Sequence, residues 1–408
     1  MKKYIISFAL GLFGLQFVSA QDLLSPDSNF LLHFGLSKAK QPTYTLTYKG
    51  KPVINDSKLG FILVPSLNFN QHFSVKEISY ATSNTTWEPV LGENKEIKDN
   101  HKEMLVCLIQ DKSNWQVNIR FRLFNDGLGF RYEFPIQPNL RQFVVQEELS
   151  EFNLTGDHKA FWIPGDYDTN EYPITTSKLS KVGKLIDKVR KEGLAAKAAT
   201  PNLAVQTPLM MKSDNGLYIN IHEASLQNYP AMALNLDDKH FSLSSHLTPD
   251  KTGNKAYVQT GNVTPWRTVV VSDDARDILA SNLILNLNEP SKIEDTSWIK
   301  PVKYVGVWWE YFTGGGSTWA YSDTHDIHIG KTDFSKLEPN GHHGANTEHV
   351  KEYIDFAAKH GFDAVLVEGW NEGWEDNWAY HKDRIYSFTK AYPDFDVEGL
   401  QQYAADKV

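Results

Sequence analysis

Asn118-Ile-Arg-Phe-Arg-Leu-Phe-Asn-Asp-Gly-Leu-Gly-Phe-Arg-Tyr-Glu-Phe134 decides the fold of the larger part of this chain. Apolar and polar residues alternate along 118–124, the period of a strand with one face in a core and one in water. Asn125-Asp126-Gly127 supplies a turn and 130–134 returns, which predicts a β-hairpin. The same succession of short strands and turns extends outward, from about residue 30 to about residue 288. Residues 43–48 alternate into a Lys49-Gly50-Lys51 turn, and further strands are expected at 216–221, 240–243 and 268–271. So many antiparallel strands with few helical patterns predict a large β-sandwich.

Near Asp295 the pattern changes. Tyr304-Val-Gly-Val-Trp308 is a short apolar strand. A helix follows, with Thr347 as its N-cap, Val350, Tyr353, Ile354, Ala357 and Ala358 at helical spacing, and Gly361 as its stop. Ala364-Val-Leu-Val367 shows no alternation, as in a parallel strand buried on both faces. A second amphipathic helix begins after Asp396, with Val397, Leu400 and Ala404 on one side. Strand–helix–strand–helix is the opening of a (β/α)8 TIM barrel, which needs about 250 residues. The expected organisation is a signal peptide at 1–20, a β-sandwich at 21–298, and the first part of a barrel at 299–408, incomplete at Val408. A small open α/β domain, finished as written, is the alternative.

Lys2 and Lys3 precede an apolar run at 4–18, and Val18-Ser19-Ala20 offers small residues to a signal peptidase. Cleavage is expected before Gln21, leaving an exported chain without a membrane anchor. The net charge of −9 argues against nucleic acid or an anionic membrane as partner. Cys107 is the one cysteine, so no internal disulfide can form, and an inert buried thiol is expected there.

The segment richest in chemistry is Glu368-Gly-Trp-Asn-Glu-Gly-Trp-Glu375. Glu368 stands at the C-terminal end of its strand, where barrel enzymes place functional side chains. Trp370 and Trp374 flank it, and a carboxylate beside tryptophan platforms suits a carbohydrate pocket; a packed surface loop is the plainer account. Glu372, Glu375 and Asp376 read as solvated loop charges. Trp308 or Trp309 sits at the rim of the first strand. His325, His328, His342, His343 and His349 match no common zinc spacing and read as exposed loop histidines. In the sandwich, Trp162-Ile-Pro-Gly-Asp-Tyr-Asp-Thr-Asn-Glu171-Tyr is a turn with three acids, either a source of calcium ligands or an acidic surface loop.

Taken together these residues resemble glycoside hydrolase family 97, the α-glucosidase group of bacterial starch utilisation. The likeness is carried by the 162–169 stretch, Thr264-Pro-Trp-Arg-Thr268, Tyr304-Val-Gly-Val-Trp-Trp309, Tyr353-Ile-Asp-Phe-Ala-Ala358 with His360-Gly-Phe-Asp363, and the 367–375 stretch. The resemblance implies a super-sandwich, a (β/α)8 barrel, a periplasmic location and an α-linked gluco-oligosaccharide substrate. It implies substrate contacts at Trp308 and Glu368 and a calcium ion with Glu171 as one ligand. It places the catalytic acid and base beyond Val408, with inversion expected over retention. A carbohydrate-binding protein without turnover is the competing expectation.

Overall fold

The computed structural model describes residues 21–193, 198–325, 327–375 and 385–407. The expected leader at 1–20 lies outside the described residues, as does Asp376. The chain is mostly β and divides into two compact units between Lys292 and Ile293.

Three antiparallel sheets of eight, nine and four strands build the first unit. The expected hairpin joins Gln116–Phe124 to Gly127–Glu133, with Phe121 opposite Phe130 and Asn118 opposite Glu133. Its period of two sends Val117, Ile119, Phe121 and Leu123 into the core. There the nine-stranded sheet meets the eight-stranded one: the Phe121 ring lies 6.0 Å from Phe34, and Phe130 lies 5.3 Å from Tyr44. The Lys49-Gly50 turn connects Pro42–Tyr48 to Lys51–Lys58, and both its residues have positive φ, 49° and 73°. That pair of angles matches the right-handed twist of the strands it joins.

The outer side of the hairpin is drier than its alternation suggests. Arg120, Arg122 and Arg131 interleave with Glu103 and Glu133, as in the 3.0 Å Arg131–Glu133 pair, and all are at least half-buried. Trp266 is packed between two guanidiniums, Arg122 at 4.9 Å and Arg131 at 4.5 Å from its ring. The short helices Ala275–Ala280 and Leu283–Asn286 cover part of this face through Leu283 and Leu287. Cys107 is also on this side and half-buried, not in the core as expected, because the core positions of its strand are Met104, Val106 and Leu108. A helix not anticipated from the sequence, Leu179–Lys191, buries one stripe of Leu179, Val182, Ile186 and Val189.

In the second unit Tyr304–Gly306 pairs in parallel with Ala364–Leu366. The helix Thr347–His360 ends at Gly361 in the left-handed region, as expected. Its N-cap is Asn346 rather than Thr347: the Asn346 side chain accepts the His349 amide, while the Thr347 hydroxyl donates to the Asp394 carbonyl at 2.6 Å. The last helix, Val397–Ala405, starts on an Asp396 cap. The strand Ala364–Leu366 is not buried on both faces; Ala364 and Leu366 are exposed, since one strand and one layer of helices pack on it. An apolar groove of about 470 Å³ lies alongside, lined by Val350, Ile354, Val365, Phe395 and Leu400 among others.

Candidate carbohydrate site

Glu368 emerges two residues after the strand Ala364–Leu366 and is half-buried. Its main-chain carbonyl accepts the Tyr311 hydroxyl at 3.2 Å. Burial first, then the Glu368 charge, pushes Tyr386 up to about 12 and raises Tyr311 above its ordinary value. Tyr311 is bonded to the head of the 368–375 loop and the Tyr386 ring lies 4.5 Å from Trp374 near its end. Trp308 follows the strand Tyr304–Gly306 by two residues, the same offset that Glu368 has from its own strand, with Gly306 and Leu366 in register. It begins a short helix, Trp308–Thr313, and packs against Trp309 at 4.8 Å and Phe312 at 5.2 Å. Its link to Glu368 runs through other rings. Phe312 meets Trp319 at 5.5 Å, Tyr311 meets Trp319 at 4.4 Å, and Trp319 stacks on Trp374 at 6.0 Å.

Two glycines make the 368–375 loop possible. Gly369 has φ of 85°, and a Cβ there would stand 3.1 Å from the Trp319 carbonyl oxygen. At Gly373, with φ of 122°, a Cβ would fall 2.2 Å from the Ile385 carbonyl oxygen, closer than atoms can approach. The loop is then held by Tyr392, whose oxygen accepts the amides of Gly373 and Trp374 at 3.0 and 2.8 Å and whose hydrogen goes to Glu375 at 2.6 Å.

Glu375 is thus no solvated loop charge. It is 8% exposed, and burial raises its pKa against the opposing bond from Tyr392. The amides of Tyr321 and Ser322 approach the same carboxylate without closing a hydrogen bond on Oε1. His343 also departs from expectation. It is 5% exposed, with Nδ1 2.8 Å from Asp394 and Nε2 2.8 Å from the Gly369 carbonyl. His349 is half-buried, pairing with Glu310 at 3.1 Å and with the Gly344 carbonyl at 2.8 Å. His325 and His342 are exposed. The histidine cluster drew notice to His343 without its role, and nothing drew notice to Tyr392, because their partners are 26 and 17 residues away in the chain.

In the first unit, Asp166 shapes the acidic loop. Its carboxylate accepts the amides of Asp168, Thr169 and Ala198 and the Tyr172 hydroxyl, the last at 2.8 Å. An oxygen set so occupied has little left for a cation. Glu171 is exposed on the same loop. Among the described residues no group of three or more His, Cys, Asp or Glu is arranged to hold a metal. Glu171 offers one hard oxygen ligand, and the described residues alone do not complete a calcium shell, which takes about six to eight oxygens.

The family model described as glycosyl-hydrolase 97 N-terminal matches residues 23–290, and that described as glycoside hydrolase 97 matches 308–408. A protein named retaining alpha-galactosidase from Bacteroides thetaiotaomicron is 24% identical, over 100% of this chain and 57% of its own length. A glycoside hydrolase family 97 enzyme from Pseudoalteromonas sp. strain K8, solved in complex with acarbose, is 34% identical with a TM-score of 0.78. It aligns with 95% of this chain and 53% of its own. A variant from the same source, solved in complex with panose, matches to the same degree. The chain therefore spans little more than half the length of these relatives.

Proposed function

The chain belongs to glycoside hydrolase family 97, and from that premise we propose that it serves in the hydrolysis of α-glucosidic bonds in malto-oligosaccharides. The observation that carries this reading is Glu368 at the C-terminal end of a parallel strand, its carbonyl bonded by Tyr311, whose ring meets Trp319 where Trp319 stacks on Trp374. A carboxylate accepts hydroxyl hydrogens from a sugar, and the neighbouring aromatic rings offer faces to its C–H groups. The 34%-identical relatives solved with acarbose and panose favour a glucoside, panose being built of α-linked glucose. The parallel pair with its helices is then the first two steps of a (β/α)8 barrel.

In this proposal the general acid and base stand outside the 408 residues, on segments that the longer relatives possess. A glutamic acid protonates the glycosidic oxygen while a second carboxylate, set roughly 6.5–9.5 Å away, activates water and inverts the anomeric centre. Calcium, with Glu171 among its ligands, would supply Lewis-acid polarisation near the scissile bond. Within this chain, Glu368 and Trp308 bind and orient the sugar. The protein is exported to the periplasm, its leader removed before Gln21.

Calorimetry with panose on the 408-residue chain and on its Glu368→Gln variant tests the site. Binding that the variant loses supports the reading; equal affinity in both overturns it. A hydrolysis assay with p-nitrophenyl α-glucoside should show no turnover by this chain, and calcium-dependent turnover would reject the placement of the catalytic pair. The 24%-identical relative named retaining alpha-galactosidase favours a second reading, an α-galactoside substrate. Preference for melibiose over panose in the same calorimeter would select it.

A further inference from the structure

Two consecutive carbonyls at the head of the 368–375 loop are each held by a side chain from elsewhere in the second unit. The Tyr311 hydroxyl donates to the Glu368 carbonyl at 3.2 Å, and His343 Nε2 donates to the Gly369 carbonyl at 2.8 Å. One bond alone would let the loop pivot; a second, one residue on, removes that rotation. The other nitrogen of His343 faces the Asp394 carboxylate at 2.8 Å. The ring thereby bridges the Asp394 carboxylate to the Gly369 carbonyl. Both feet of the bridge are anchored. The Asp394 carbonyl accepts the Thr347 amide at 2.9 Å and its hydroxyl at 2.6 Å. The His343 carbonyl accepts Asn346 Nδ2 at 2.8 Å, from the residue that caps the helix Thr347–His360.

We propose that His343, oriented by Asp394, is a positioning residue: by fixing the Gly369 carbonyl it aims the preceding Glu368 carboxylate and so sets the affinity of the second unit for a glucosyl ring. The proposal rests on the reading of Glu368 as a sugar ligand. Asp394 contributes in two ways. It fixes the rotation of the imidazole, and its charge strengthens the N–H donor on the far side of the ring. Both ring nitrogens of His343 are already bonded and the residue is buried, so its effect on a sugar passes through the loop.

The test uses the whole 408-residue chain, with hydrogen exchange across 368–375 and panose calorimetry side by side. The amides of Glu372, Gly373 and Trp374, bonded to the Lys390 carbonyl and the Tyr392 oxygen, are the reporters. His343→Ala should speed their exchange and weaken panose binding, each roughly tenfold, while the strands of the first unit exchange as before. Asp394→Asn lets the ring keep its donor to Gly369 by accepting on Nδ1, and should stay within about threefold of wild type. If His343→Ala binds panose like wild type while Glu368→Gln does not, the positioning role is overturned and the Glu368 reading stands. If Asp394→Asn is as damaging as His343→Ala and exchange rises throughout the second unit, the role is merely structural and the proposal falls. A wild-type chain that takes up no panose, or a Glu368→Gln chain that keeps its affinity, removes the Glu368 reading and the role of His343 with it.

Discussion

Arg267 has no exposed surface, and its guanidinium is shared by two carboxylates, Glu148 at 2.8 Å and Glu223 at 2.6 Å. Tyr229 and Ser150 donate to Glu148 as well, and the Met232 amide donates to Glu223, so every partner in the cluster is satisfied in part by another. Arg267→Met would strand both carboxylates, and a loss of about 3–5 kcal/mol is expected in urea unfolding of the chain. The two acids also give stability opposite pH dependences. Burial pushes the Glu148 carboxyl up, but Arg267 more than reverses this and leaves it below its ordinary value of 4.5. Its contribution is present above that value and fades as the pH falls through the lowered one. For Glu223 burial outweighs Arg267, so its contribution is present below 4.5 and fades as the pH rises through the raised value. In the Glu223→Gln variant the falling limb toward neutral pH should flatten in urea midpoints measured across the acid range, while the acid limb persists. The sequence made the 264–268 stretch conspicuous without saying why. Its reason is a charge cluster assembled from three strands, and no spacing rule links 148, 223 and 267. Gly373 is a similar case: the letter was visible, and the Ile385 oxygen that forbids any side chain was not.

Elements were legible where one periodicity decides them. The hairpin of Gln116–Phe124 and Gly127–Glu133 followed directly from alternation, because a strand between core and surface must alternate. Helix Thr347–His360 was legible from its stripe and its Gly361 stop, yet its cap was misplaced by one residue, since Asn346 and Thr347 are both good caps and the Asp394 carbonyl claims the threonine. Asn346→Ala should cost about 1 kcal/mol of stability in the second unit, read as a lowered unfolding midpoint. The helix Trp308–Thr313 left no signal: it has no side-chain cap and six residues, too few to show a face. Burial of Ala364–Leu366 was overestimated for another reason. An unbroken apolar run reports what a strand can tolerate on its two faces, and the neighbours present in the fold determine what covers it.

At the scale of the molecule, the division between Lys292 and Ile293 separates a unit with a large sandwich core from one whose buried clusters are small. A product of residues 21–292 should therefore fold alone, with a single cooperative unfolding transition by circular dichroism at the midpoint the same strands show in the 408-residue chain. The second unit, with an open apolar groove of about 470 Å³, should bind a dye such as anilinonaphthalene sulfonate, and the isolated 21–292 product should not. The lone thiol gives these comparisons a clock. Cys107 sits on the half-covered side of the nine-stranded sheet, where burial and then Glu77 keep it protonated. A maleimide should therefore react slowly with the folded sheet at neutral pH and quickly once it opens, so one label per molecule times the opening of the first unit without any engineered residue.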